Sequence, residues 1–138
     1  MSTLNVNTVQ SSTSNPPIFK NSGGDVVGTL ARAWVNFNGV GTVAIRDSFN
    51  VSSITDNGTG DYTVNFTNPM SNTNYCLQLS ATDDGTGGNQ ADGYAYGVWK
   101  RGANSTALTT SSARIQVGYA ANEVLYDQSH VMVTIFGS

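Results

Sequence analysis

The sequence predicts an all-β protein, an antiparallel, jelly-roll-like β-sandwich of about seven to eight strands that follows an extended N-terminal arm. Charged residues form only 11% of the chain, against about 25% in ordinary soluble domains, so the helix-favouring Lys and Glu are scarce. From residue 33 onward, apolar and polar residues alternate with a period of two, which is typical of strands. Clusters of Gly, Asn, Asp and Pro interrupt this alternation about every 8–12 residues, as in sandwiches.

Residues 1–31 form the predicted arm, and residues 32–138 form the predicted sandwich domain. The arm is rich in Ser, Thr and Asn and has too few apolar residues to close a core of its own. An extended segment has no interior in which those apolar residues could be buried. We therefore expect them to dock on a neighbouring copy of the chain or on a larger assembly. The predicted docking residues are Leu4, Val6, Val9, Ile18 and Phe19.

The first strands of the domain are predicted at 33–37 and 42–46, joined by a hairpin loop at 38–41. This loop contains two glycines, which suit a turn that needs positive φ. The alternation continues through Phe49, Val51 and Ile54.

A Gly-rich turn is predicted at 56–61, and the strand that follows it, 62–67, has the clearest alternation in the chain. Pro69 lies in the break at 68–74, since proline cannot donate to a central strand. The next strand is predicted at 75–81.

Three more strands are predicted at 94–100, 113–120 and 130–136. The last of them is apolar on both faces, which indicates a central strand or a strand at a subunit contact. The long connection 82–93 is rich in Gly and Asp, as exposed loops are.

Charge and hydropathy argue against two classes of partner. The net charge is −3, and the six basic residues are scattered, whereas nucleic-acid binding needs clustered Lys or Arg. No run approaches the roughly 18 apolar residues of a membrane-spanning helix, and no secretory signal precedes the arm. We therefore expect no nucleic-acid partner, no membrane insertion, and synthesis in a cytoplasm.

The residues that usually carry catalysis are sparse. His130 is the only histidine and Cys76 the only cysteine, so a catalytic triad or a zinc site has few possible members. We expect no enzymatic activity and no cofactor. The acidic loop with Asp83, Asp84 and Asp92 could offer oxygen ligands to Ca²⁺, but it does not fit the EF-hand spacing. An ordinary solvated loop is the alternative.

The segment "ARAWVNFNGVGTVAIRDSFNVSSITDNGTGDYTVNFTNPMSNTNY" resembles the C-terminal β domain of tail-fibre and other fibrous virion proteins of tailed phages, especially cyanophages. The arm and the closing "VMVTIFG" are also similar to that family, so the resemblance covers residues 1–75 and 130–137. It implies a homotrimeric structural protein of the virion, made in the host cytoplasm. A short tail-fibre-like component for assembly and host attachment is the first interpretation. A capsid decoration, cement or head-fibre protein that stabilises the phage head is the alternative.

The resemblance also implies which partners the chain would meet. These are further copies of the chain, other virion proteins, and a glycan or other receptor on the host surface. The variable loops would make the receptor contacts. Their candidate residues are Asp83, Asp84, Asn89, Asp92, Arg101 and Asn104.

Overall fold

The structure, a computed structural model, describes residues 5–10, 12, 17–82, 96–99, 108–119 and 124–137, with the backbone alone at 96–99 and 119. Within this part of the chain no helix is long and apolar enough to span a membrane. The described strands are β1 (Ile18–Lys20), β2 (Val26–Thr29), β3 (Ala33–Asn38), β4 (Ala44–Phe49), β5 (Val51–Gly58), β6 (Asp61–Phe66), β7 (Cys76–Thr82), β8 (Tyr96–Trp99), β9 (Ser112–Tyr119), β10 (Val124–Leu125) and β11 (His130–Phe136).

Two antiparallel sheets form the body of the molecule. The first sheet has the order β4-β3-β11-β7. In the second sheet β9 pairs with β6, β8 and β10, and β5 pairs with the other edge of β6. The all-β antiparallel sandwich predicted from the sequence is thereby confirmed, whereas the jelly-roll connectivity is not confirmed by this strand order.

The core lies between the inner faces of the two sheets, where period-two alternation places one side chain in two. On β3 the inward residues are Ala33, Val35 and Phe37, and each is almost completely buried. The rings of Phe37 from the first sheet and Tyr62 from the second meet edge to face, with their centroids 5.1 Å apart. Such aromatic pairs stabilise the contact between two sheets beyond the free energy gained by burying apolar surface.

The last strand, β11, occupies the centre of the first sheet. It pairs with β3 on one side and with β7 on the other. The prediction of a central strand from its apolar composition is confirmed. Its inward residues, Val131, Val133 and Ile135, belong to the core.

The second strand of the first hairpin differs from the prediction. It starts at Ala44 rather than at residue 42, and it is exposed along most of its length. β4 is an edge strand, and its register with β3 shifts between Asn36 and Phe37. An edge strand with a bulge packs only part of its inward face, so alternation in the sequence does not become burial here. The positive φ predicted in the loop is found at Gly41, where φ is 67°.

The chain changes sheets at a single residue, Asn50. β4 ends at Phe49 in the first sheet, and β5 begins at Val51 in the second. Asn50 has a φ of 57°, a left-handed conformation that Asn tolerates better than most residues. Its Nδ2 donates to the carbonyls of Arg32 at 3.0 Å and Asn68 at 3.1 Å, and its Oδ1 accepts from the Asn68 amide at 2.7 Å. These bonds fix the corner of the sandwich.

Candidate interaction surface

Residues 18–29 form a β-hairpin, here called the N-terminal hairpin, that pairs with neither main sheet. Its strands β1 and β2 make a separate two-stranded sheet. The turn between them is held by Asn21, whose Oδ1 accepts from the amides of Gly23 and Asp25, both at 2.9 Å. The sequence predicted an extended arm, and the structure adds this local pairing to it.

The N-terminal hairpin and the residue that follows it are apolar and exposed. The exposed fractions are 55% for Ile18, 51% for Phe19, 55% for Val26, 64% for Val27 and 46% for Leu30. An isolated two-stranded hairpin is at best marginally stable in water, because it has no second layer to bury its side chains against. Within the part of the chain that the structure describes, this segment pairs with no other sheet and keeps its apolar side chains about half exposed.

On the outer face of the second sheet, by contrast, side chains of β5, β6 and β9 form a network of hydrogen bonds. At its centre Asp61, nearly buried, accepts from Arg114 Nε at 2.7 Å and from Arg114 Nη2 at 2.9 Å. Gln116 Nε2 donates to the same carboxylate at 3.0 Å. These hydrogen bonds raise the pKa of the Arg114 guanidinium, since they favour its charged form.

The same polar network continues onto β5. Asn65 Nδ2 donates to Ser53 Oγ at 3.1 Å and to Thr55 Oγ1 at 3.0 Å. Asn57 Nδ2 donates to Thr63 Oγ1 at 2.9 Å. Because side chains of this face satisfy one another and present hydroxyl and amide groups outward, the face is well suited to contact water.

The outer face of the first sheet is apolar at one end. Phe49 pairs with Trp34 across β4 and β3, and Phe136 pairs with Cys76 across β11 and β7. Phe49 is 54% exposed and Phe136 36% exposed, while Trp34 and Met132 are half-buried. We call Trp34, Phe49, Met132, Phe136 and Cys76 the apolar patch. Beside it, Asn36 Oδ1 is enclosed without a hydrogen-bond donor.

One end of the sandwich is closed by hydrogen bonds around a buried tyrosine. Asp127 Oδ1 accepts from the Tyr62 hydroxyl and from the Gly60 amide, both at 2.7 Å. Burial raises the pKa of Tyr62, and the bond to the Asp127 carboxylate raises it further. This neutral, fully buried phenol is suited to joining the sheets, and its surroundings do not favour a phenolate.

A second buried tyrosine, Tyr75, also donates hydrogen bonds from its hydroxyl to fixed acceptors. The Tyr75 hydroxyl donates to the carbonyls of Thr109 at 3.0 Å and Ser112 at 3.1 Å. Burial raises the pKa of Tyr75 to about 12. Its ring packs edge to face on Phe66, with centroids 5.9 Å apart.

The predicted docking residues lie where an external partner could reach them. Val6 is 51% and Val9 63% exposed, and Ile18 and Phe19 belong to the N-terminal hairpin. Leu4 lies outside the described residues, and so do all the candidate receptor-contact residues: Asp83, Asp84, Asn89, Asp92, Arg101 and Asn104. Docking and receptor contact both stay predictions.

The residues considered for catalysis have ordinary surroundings. His130 Nδ1 lies 3.2 Å from the hydroxyl of the adjacent Ser129, and Cys76 is an exposed free thiol on β7. Among the described residues there is no group of three or more His, Cys, Asp or Glu side chains that could hold a metal ion.

The sequence reasoning missed the apolar patch. Alternation alone indicated it in part, because Trp34 lies on the face of β3 opposite Val35 and Phe37. Phe136 was indicated in the same way, because the last strand is apolar on both faces, whereas the position of Phe49 beside Trp34 depends on strand order and register. Comparison of the chain with family models, with curated proteins and with solved structures gives no match.

Proposed function

We propose that this chain is a structural component of a phage virion, a short tail-fibre-like protein that assembles as a homotrimer through its N-terminal arm. The observation that carries the proposal is the exposed apolar hairpin beside a sandwich that already has a complete core of its own. The trimeric state and the virion location come from the resemblance of the sequence to fibrous virion proteins.

The physical argument concerns the cost of leaving the hairpin in water. Each large apolar side chain gains about 1.5–3 kcal/mol when it passes from full exposure to full burial. The hairpin residues are about half exposed, so burial against another copy would recover part of that free energy at each of them. A closed ring of copies would supply this burial to every chain equally.

The proposed host-attachment role belongs to the loops with Asp83, Asp84, Asn89, Asp92, Arg101 and Asn104. Three copies of a weak contact on one rigid assembly would bind a glycan or other surface receptor with increased avidity. In the alternative function, a capsid decoration or head-fibre protein, the arm would lie on head subunits and the loops would have no receptor.

Sedimentation equilibrium of the full chain and of a variant without residues 1–30 tests the assembly. We expect a trimer for the full chain and a monomer for the variant. A monomeric full chain at high concentration would remove the basis of the proposal.

Electron microscopy of particles of the phage that encodes the chain, with an antibody against it, tests the location. Label on the tail supports the fibre-like function, and label on the head supports the alternative. Particles that carry no label on either structure would contradict the virion location.

A further inference from the structure

The two outer faces of this sandwich carry different kinds of side chain. On the second sheet, polar side chains of β5, β6 and β9 satisfy one another. On the first sheet, Phe49 is exposed beside its pair partner Trp34, and Phe136 is exposed beside Cys76. Thr134, which pairs with Trp34, lies between Phe136 and Met132 on the same face. Exposed apolar side chains that adjoin one another are the usual mark of a contact surface, whereas single ones are not.

The same chain carries an apolar element without a partner, the N-terminal hairpin. Among the described residues, the apolar side chains of the hairpin and Phe49 of the patch stay about half exposed. We infer that the apolar patch on the first sheet receives the N-terminal hairpin of a second copy of this chain. This inference rests on the self-association in the proposed function, and it names the surface on which that association occurs.

The position of the two surfaces in the chain favours this arrangement. Only residues 30–32 separate the hairpin from β3, and Phe49 pairs with Trp34, the second residue of β3. The hairpin therefore leaves the domain at the end of the first sheet that carries the patch. Each copy offers one hairpin and one patch, and such head-to-tail contacts close into a ring when the rotation between copies allows it.

The margins of the two surfaces carry charges of both signs, Lys20 and Asp25 in the hairpin and Arg46 and Asp47 on β4, and one pair of them is opposite in sign. Lys20 follows Phe19 in the hairpin, and Asp47 lies beside the patch on β4, where it pairs with Asn36. A lysine next to the apolar hairpin residues and an aspartate next to the apolar patch would come together when the surfaces meet. Pairs of this kind contribute more to orientation than to affinity.

Docking on the face is favoured over strand addition at the β4 edge of the sheet. β4 has a register shift near Ile45, and Arg46 and Asp47 are exposed on it. Bulges and charged side chains are features by which edge strands resist pairing with another chain.

Thiol crosslinking between two different chains tests the inference. One chain carries Phe19→Cys or Lys20→Cys together with Cys76→Ser, and the other is the unaltered chain, whose only thiol is Cys76 in the patch. Neighbouring residues of a strand point to opposite faces, so one of the two variants directs its thiol toward the docked surface. With a short thiol-specific crosslinker we expect a covalent dimer of the two chains from one of the variants. The control is Thr59→Cys with Cys76→Ser, because Thr59 is exposed on the turn between β5 and β6, and we expect no product from it.

Phe49→Ser provides an independent measurement. We expect the dissociation constant of the assembly to rise at least tenfold, while Thr59→Ala leaves it unchanged. An assembly that forms no crosslink through either hairpin cysteine and tolerates Phe49→Ser would overturn the inference and leave self-association standing. A chain that does not self-associate at all would overturn both.

Discussion

Tyr62 and Tyr75 are the residues whose chemistry departs most clearly from that of an exposed side chain. Both rings are buried, and both hydroxyls donate to fixed acceptors, Asp127 for Tyr62 and two backbone carbonyls for Tyr75. Burial raises the pKa of both groups, to about 12 for Tyr75. Ionisation of either hydroxyl is therefore expected to destabilise the folded state.

Alkaline pH is expected to destabilise the protein from about pH 10 upward. An unfolded tyrosine ionises near pH 10, whereas the folded pKa values are higher, so the contribution is complete below pH 10 and is lost as the pH rises through about 12 for Tyr75 and beyond that for Tyr62. Between those values the free energy of unfolding should fall by up to about 1.4 kcal/mol per pH unit for each tyrosine. Urea denaturation followed by tryptophan fluorescence at a series of pH values measures this slope.

Tyr75→Phe is the matched variant for this experiment. It removes one of the two phenols that are buried among the described residues, and it should reduce their combined slope above pH 10 to about half. An unchanged slope would assign the alkaline loss of stability to other groups.

Among the turns, the two-residue connection of β5 and β6 is the most constrained. The sequence predicted a turn over 56–61, and in the structure β5 runs to Gly58 and leaves only Thr59 and Gly60 between the strands. Gly60 has a φ of 62°. A Cβ at Gly60 would collide with the carbonyl of Val117 and would lie 2.8 Å from the amide nitrogen of Tyr126.

Gly60→Ala and Gly41→Ala together separate backbone strain from collision. Gly41 has a similar φ, 67°, but open space around it. Gly41→Ala should cost about 1–2 kcal/mol, the penalty of the left-handed conformation. Gly60→Ala should cost about 1–3 kcal/mol more, because backbone atoms of β9 and of residue 126 must move. Thermal unfolding of both variants measures the difference, and equal losses would mean that the close approach at Gly60 does not contribute.

The strands differ in how far their roles could be predicted. The alternation predicted for β6 becomes burial in the structure, since β6 is flanked by strands on both sides and its inward residues are covered. β4 was predicted to alternate in the same way, but its place at the edge leaves most of it exposed. This difference in burial comes from strand order, which cannot be read from the periodicity of the sequence.

At the level of the molecule as described, a sandwich with its own core is preceded by a hairpin whose apolar side chains stay about half exposed. The core residues come from both sheets and need no contribution from residues 1–30. The hairpin, with its side chains about half exposed, gains stability only from a partner. Folding of the domain and assembly of the protein are thus separable properties.

The melting temperature of the full chain should therefore rise with protein concentration. A partner that binds only the folded state stabilises it by mass action. A variant without residues 1–30 should keep a cooperative unfolding transition, at a temperature that does not depend on concentration. Differential scanning calorimetry over a hundredfold range of concentration makes the comparison. If the melting temperatures of the two chains depend on concentration in the same way, the arm is not the source of the association.

Alternation and turn residues were enough to predict the all-β class, the main strands from Ala33 onward and the exposed apolar arm, because burial on a pleated strand repeats every second residue. Contacts between distant parts of the chain could not be predicted in this way. Asn50 turns the chain into the second sheet through bonds to Arg32 and Asn68, each 18 residues away. Asp61 meets Arg114 across 53 residues. Register and strand order alone bring these groups together, and they also place Phe49 beside Trp34 on one outer face and the Asp61–Arg114 pair on the other.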